Sequence, residues 1–314
     1  MPTKLTESEV VREADRRLGL IPVAIDSSQM TVFWQDLGSY HCYDGFFQDA
    51  LAMYEGLSAG RPFGLTSTVN CLSSAELWKS GIAGECLQPS GFIFHAGRCG
   101  STLLVKSLAR SRRNLVFGEA SAHNQVWAAL PIDAEESTRT YRDLLTLMGR
   151  RRLPSYRAHI VKFTSFNIMQ YRLIRSAFPQ VPALFLYREP GAIIASCQRR
   201  APGWLTREPV AGKRWQLAED AIEEFFRSAL LIDDADFRCL NYEDLSTEAL
   251  PSILRFFGLE ATRDELQLMS SEFGWDAKSG PAPKPFVRAA PVPPGPERLT
   301  ELYERLKGHV PLNL

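Results

Sequence analysis

The chain has 314 residues, 45% hydrophobic and 23% charged, the make-up of a globular protein with room for one large domain or two modest ones. Thirty-six basic residues balance thirty-six acidic ones, which excludes a global basic field for nucleic acid or a membrane surface, so any anion site has to be local. No apolar run approaches the ~20 residues of a membrane-spanning helix.

The N-terminus, "MPTKLTESEVVREADRRLGL", has acidic residues and no apolar signal core, so no signal peptide is expected. Residues 3–20 place Val10, Val11, Ala14 and Leu18 at helical spacing and predict a surface helix. "MTVFWQDL" reads as a strand and "YDGFFQDALAMYEGL" as a helix beginning near Asp44. Ser58 to Ser90 has the composition of connecting structure, and residues 1–88 are expected to be an N-terminal elaboration of a main domain at 89–314.

From Gly91 strands and helices alternate. The strands are "GFIFHA", "NLVFGE", "HIVKFTS", "PALFLYREP" and "DFRCLNYE"; the helices are 101–111, 138–152, 167–178, 190–200 and 217–230. A further helix lies in "LSTEALPSILRFFGL", with Thr247 as N-cap and Gly258 as stop. This alternation predicts an α/β fold with a mainly parallel central sheet covered by helices on both faces, and ligands beyond the carboxyl ends of the strands. In "APGWLTREPVAGKRW" (201–215) the composition is that of a loop able to shape a pocket, while Trp215 opens an apolar helix face with Leu217, Ala221 and Phe225. Residues 281–296 hold seven prolines and predict an extended segment before a last helix at 297–307. The six cysteines (Cys42, Cys71, Cys86, Cys99, Cys197, Cys239) include no CxxC pair. They point to reduced thiols, a cytoplasmic setting and no zinc site.

The stretch "HAGRCGSTLL" joins a strand to a helix, the arrangement that cradles phosphate. Against the pattern GxxxxGK[ST], His95 replaces the first glycine and Ser101 replaces the lysine that grips a γ-phosphate. Gly100, two hydroxyls at the helix start and Arg98 remain. Further on, Arg188 ends an apolar strand where a nucleoside triphosphatase offers an acidic residue to magnesium, and Ser196 follows eight residues later. An arginine there suits a second anion, bound by paired hydrogen bonds. Two separate anion sites without a metal carboxylate describe a nucleotide phosphorylated at two places.

These motifs resemble those of sulfotransferases that use 3′-phosphoadenosine 5′-phosphosulfate (PAPS). Arg98-Cys99-Gly100-Ser101-Thr102 resembles the RSGST loop, which with Leu103 binds the 5′-phosphosulfate in that family. Arg188-Glu189-Pro190 with Ser196 resembles the RDP motif and its serine, which bind the 3′-phosphate. Tyr242-Glu243-Asp244-Leu245 resembles the YEDL element, whose tyrosine packs near the adenine. The resemblance spans 98 to 245, about half the chain, and implies a three-layer P-loop-type fold, PAPS as co-substrate and no metal.

Sulfuryl transfer is loose and in line, and is catalysed by positioning and charge. Arg98 is the expected partner of the leaving oxygen. By the resemblance, Lys162 stabilises the transferring group and Glu119 is the base, with His123 as its rival; a surface or capping position is the ordinary reading of His123, and an edge-of-strand lysine that of Lys162. Cys99 reads either as a small residue offering its backbone or as a thiol activated by the helix start. The family's C-terminal RKG element is missing, and Lys278, Lys284 and Arg288 are its candidate substitutes. The expected acceptor is a small hydroxylated or amino compound, a lipid or a sugar. A P-loop kinase or nucleoside triphosphatase, and a non-catalytic nucleotide-binding protein, are the alternatives.

Overall fold

The computed structural model describes residues 3–57, 64–130, 135–206, 211–279, 284–287 and 292–314. Arg288, residues 207–210 and parts of the Pro-rich segment therefore lie outside the described residues. Nine strands are described: β1 (Thr3–Lys4), β2 (Leu20–Asp26), β3 (Thr31–Asp36), β4 (Leu65–Thr68), β5 (Pro89–His95), β6 (Asn114–Gly118), β7 (Ala158–Lys162), β8 (Ala183–Tyr187) and β9 (Phe237–Asn241). They form a four-stranded sheet, β1-β4-β3-β2, and a five-stranded sheet, β6-β7-β5-β8-β9. Every residue of β6, β7 and β8 is buried, as a parallel strand covered on both faces requires. The architecture is the expected α/β class, a parallel central sheet flanked by helices.

The described chain groups into two compact units. One comprises 1–90, 108–161 and 172–181. Its first helix, Glu7–Arg16, starts at a reciprocal cap, Thr6 and Glu9 each accepting the other's backbone N–H. The buried Arg150 closes the far end of that helix, donating to the carbonyls of Ala14 (2.7 Å) and Arg17 (3.1 Å) and to Glu85 (2.6 Å). Trp34 on β3 donates to Ser67 on β4 (2.9 Å), which satisfies the indole inside the core. Helix Phe47–Leu57 packs on β6 through Phe47, whose ring meets Phe117 edge-on at 4.7 Å.

The other unit comprises 91–107, 162–171 and 182–314. Here β5, β8 and β9 run parallel in a register that pairs His95 with Leu186 and Tyr187 with Asn241. The residues that follow these strands, the 96–100 loop, Arg188 and Tyr242, consequently leave the sheet at one edge.

Several boundaries differ from the sequence expectation. Helix 138–152 is Glu135–Met148, and 217–230 begins at Ala211. The stretch 167–178 divides into a 3₁₀ turn, Ser165–Gln170, and a helix, Tyr171–Ala177. Thr247 does not cap a helix: it bonds Glu248, and the helix runs Leu250–Phe256 with Pro251 in its first turn, where a missing N–H costs nothing. Gly258 does stop it, with φ +63°. Leu18 and Leu217 are exposed, so the apolar face of 211–230 is carried by Ala218, Ala221, Ile222 and Phe225 instead. The last helix is Glu297–Lys307, as expected.

Candidate active site

The loop after β5 is shaped by His95, the residue that stands where a glycine was expected. His95 Nδ1 accepts the Gly97 N–H (3.0 Å) and Nε2 faces the Phe163 carbonyl at 3.0 Å, an arrangement that selects the Nε2–H tautomer. The backbone then takes left-handed φ at Gly97 (+79°), Arg98 (+55°) and Gly100 (+83°). At Gly100 a side chain would start 2.7 Å from Leu245 Cδ2 and 2.9 Å from the Tyr242 ring, so only glycine lets the loop pass beneath the 242–245 turn. Helix Ser101–Ala109 begins at once, with Ser101 and Thr102 buried and Leu103 partly so. Its first N–H groups form the positive end of the helix dipole.

Three cationic side chains are anchored around this loop. Arg98 Nε donates to Ser196 Oγ (2.9 Å) and Nη2 to the Ser196 carbonyl (3.2 Å), which leaves Nη1 without a hydrogen-bond partner among the described residues. Burial is the main cause that lowers the Arg98 pKa from its ordinary value, with the neighbouring charges of Arg200 and Arg199 adding in the same direction. Arg188 Nη1 donates to the Arg98 carbonyl (3.3 Å), and its guanidinium lies 4.0 Å from the centre of the Tyr242 ring. Arg188 Nε is buried without a hydrogen-bond partner among the described residues. Lys162, at the end of β7, is fully buried, not an edge lysine, with Nζ 3.4 Å from Thr102 Oγ1.

Cys99 is no activated thiol. Its Sγ is buried and faces the Leu186 carbonyl at 3.2 Å, and burial pushes its pKa up to about 11. Burial raises the pKa of both the Cys99 and the Cys197 thiol, and of the C-terminal basic residues Lys278 is the one whose charge opposes that rise, as the smallest influence on each. Lys278 is held in a bend where its N–H meets Asp276 (3.0 Å) and its carbonyl accepts from Arg200 (3.1 Å). Lys284 is exposed and its N–H bonds Ser279 (3.3 Å).

Glu189, which the resemblance groups with Arg188 and Pro190 in the 3′-phosphate motif, has its carboxylate engaged by backbone N–H groups. Its two carboxylate oxygens accept the N–H groups of Gly191 (2.8 Å) and Ala192 (2.7 Å), capping helix Pro190–Arg199, and Oε1 also accepts the Gly295 N–H (3.0 Å). A side chain at Gly191 would run into the Pro293 carbonyl, and one at Gly295 would start 2.6 Å from Pro190 Cβ. Part of the Pro-rich segment is thus seated directly on the helix that carries Ser196. The reach of a glutamate in place of the motif's aspartate was the sequence signal for this contact.

Glu119 and His123 belong to the first unit. Glu119 follows β6, half-buried, with φ +52°. His123 is buried in helix Ala122–Ala129, contrary to a surface or capping position. Burial, reinforced by His159, pushes its pKa down to about 3. Among the described residues no cluster of three His, Cys, Asp or Glu side chains is arranged to hold a metal ion, and no helix is long and apolar enough to cross a membrane.

No family model and no curated protein matches the chain. Similar solved structures include sulfotransferase STF9 from Mycobacterium avium, 13% identical with a TM-score of 0.48 over 85% of this chain and 87% of that one. Sulfotransferase STF1 from Mycobacterium tuberculosis is 13% identical with a TM-score of 0.45 over 97% and 99%. Mouse sulfotransferase SULT7A1, complexed with PAP, is 12% identical with a TM-score of 0.38 over 66% and 71%.

Proposed function

We propose that this chain is a PAPS-dependent sulfotransferase acting on a hydroxyl or amine of a small-molecule, lipid or sugar acceptor. The observation that carries the reading is the linked set Arg188–Arg98–Ser196 at the edge of β5, β8 and β9, beside a glycine loop with Lys162 in place of a loop lysine. Arginines positioned by neutral oxygens, with the nearby Glu189 spent on backbone N–H groups, favour an anion with two phosphate-type ends over a metal–triphosphate.

In this reading Arg188, through its unpartnered Nε, and Ser196 hold the 3′-phosphate. The N–H groups of Cys99 to Leu103 and the hydroxyls of Ser101 and Thr102 hold the 5′-phosphosulfate, and Tyr242 lies against the adenine. Arg98 Nη1 meets the bridging oxygen as its bond to sulfur breaks, and Lys162 offsets charge on the sulfuryl oxygens. Glu119 takes the proton from the acceptor as the new oxygen–sulfur or nitrogen–sulfur bond forms. His123, neutral, buried and weakly basic, is the poorer base.

Thermal unfolding tests this. 3′-Phosphoadenosine 5′-phosphate (PAP) at a hundredfold excess over its Kd stabilises by about 2.7 kcal/mol, and ATP–Mg does not. Stabilisation by ATP–Mg alone overturns the reading in favour of a kinase or nucleoside triphosphatase. PAP binding with no sulfate transfer to any acceptor would leave a nucleotide-binding protein without catalysis.

A further inference from the structure

Two departures from the phosphate-loop pattern GxxxxGK[ST] occur together: His95 stands where the first glycine belongs, and Ser101 where the lysine belongs. A lysine inside such a loop is placed by the chain itself. Here the cation that faces the loop is Lys162, which belongs to β7, and its Nζ lies 3.4 Å from Thr102 Oγ1. A cation on a separate strand keeps its distance from the loop only if something else joins the two.

His95 makes that join. It is buried at the end of β5, and both of its ring nitrogens are engaged. Nδ1 accepts the Gly97 N–H (3.0 Å) and the Ser165 hydroxyl (3.2 Å), while Nε2–H donates to the Phe163 carbonyl (3.0 Å). The ring therefore holds the loop on one hand and, on the other, the residues that follow Lys162. Phe163 is a firm anchor: its N–H donates to the Ile93 carbonyl (2.9 Å), and its buried ring stacks on Phe94 with centroids 4.8 Å apart. The loop, by contrast, runs through left-handed backbone at Gly97, Arg98 and Gly100 and depends on its neighbours to keep that shape.

We propose that His95 is a positioning residue that sets Lys162 against the 5′-phosphosulfate loop, so that the two departures from the pattern work as a pair. The cation comes from β7, and the histidine fixes its place. This rests on the sulfotransferase reading of the site, and its test separates the two. Equilibrium dialysis of the full chain compares PAPS with PAP, which lacks the sulfuryl group, so the ratio of their affinities reports the sulfuryl end alone.

His95→Asn divides the two halves of the tie. An asparagine oxygen accepts the N–H two residues on, which keeps the Gly97 bond, but the shorter side chain loses Phe163. PAP affinity then stays level, and the PAPS:PAP ratio falls about tenfold, the scale of one well-placed hydrogen bond. Ser165→Ala, which leaves the ring in place, lowers the ratio in the same direction. Lys162→Met lowers it as well, and adding His95→Asn to it lowers it no further, because His95 acts through Lys162. An unchanged ratio in His95→Asn or Ser165→Ala, equal loss for PAP and PAPS, or additive losses in the double variant overturns the inference. Failure of both nucleotides to bind the unaltered chain counts against the sulfotransferase reading, and hydrogen exchange then decides the tie. The Thr164 and Asn167 amides, which bond across the turn after β7, exchange faster in His95→Asn while that of Gly97 stays protected. Unaltered exchange at Thr164 and Asn167 overturns the inference.

Discussion

Arg98 and Glu119 are two of the four described non-glycine residues with left-handed backbone. Such a conformation costs about 1–2 kcal/mol and persists only where neighbours dictate it. For Arg98 those neighbours are Arg188 on its carbonyl and Ser196 on its side chain. For Glu119 the neighbour is Gln48: with its amide oriented to satisfy both ends, it donates to the Glu119 carbonyl (3.2 Å) and accepts from the Ser121 N–H (3.1 Å). Strain at a half-buried carboxylate after a strand end supports its use as a base. Under the proposed function, Glu119→Gln, which keeps shape and backbone, lowers kcat by about 10²–10⁴-fold while PAP affinity stays level. Turnover close to that of the unaltered enzyme would move the base to another residue.

Between elements, Glu189 links the helix Pro190–Arg199 to the segment at Gly295. An aspartate caps a helix as well but is one methylene shorter, so Glu189→Asp keeps the cap and loses the tether. Loss of a hydrogen bond to a charged acceptor costs about 1.5–3 kcal/mol. Urea unfolding gives the total, and hydrogen exchange locates it: the Gly295 amide exchanges faster while Gly191 and Ala192 stay protected. Equal loss of protection at all three amides would mean that the two roles are not separable.

The same contrast marks what could be read from the residues. Apolar runs such as "ALFLY" announce themselves because both faces of the strand are buried, and the strand ends then deliver Arg188 and Tyr242 to the loop. β2 is not legible in the residues because Pro22 breaks its pattern; it is an edge strand whose register shifts between Pro22 and Ala24, where proline is tolerated. The Arg98–Ser196 bond, the His95 bracket and the Gly295 tether join residues far apart in the chain. Periodicity carries no trace of such contacts.

At the scale of the molecule, two buried histidines tie stability to pH. Burial pushes both His123 and His159 down to about 3, against about 6.5 in an unfolded chain. Below pH 6.5 the unfolded chain takes up protons that the folded one refuses, so stability present above that pH is lost as pH falls toward 3. The loss approaches about 1.4 kcal/mol per pH unit for each ring. Urea midpoints therefore fall between pH 7 and pH 5, and His123→Leu reduces the dependence. A midpoint constant over that range would mean that the rings are already accessible to protons in the folded state.

All six thiols are buried, and burial raises the pKa to about 12 at Cys86 and about 11 at Cys99. A maleimide or disulfide reagent at neutral pH thus meets no thiolate at Cys86 or Cys99 and a buried sulfur at all six. Each cysteine becomes a clock that starts only when its own segment opens. Cys99 and Cys197 time the loop and the Ser196 helix, while Cys42 and Cys71 time the first unit. Mass spectrometry after timed labelling should find PAP slowing the first two and sparing the others. Uniform slowing would mean that the chain opens only as a whole. The native chain carries its own probes of local unfolding, with no label to introduce.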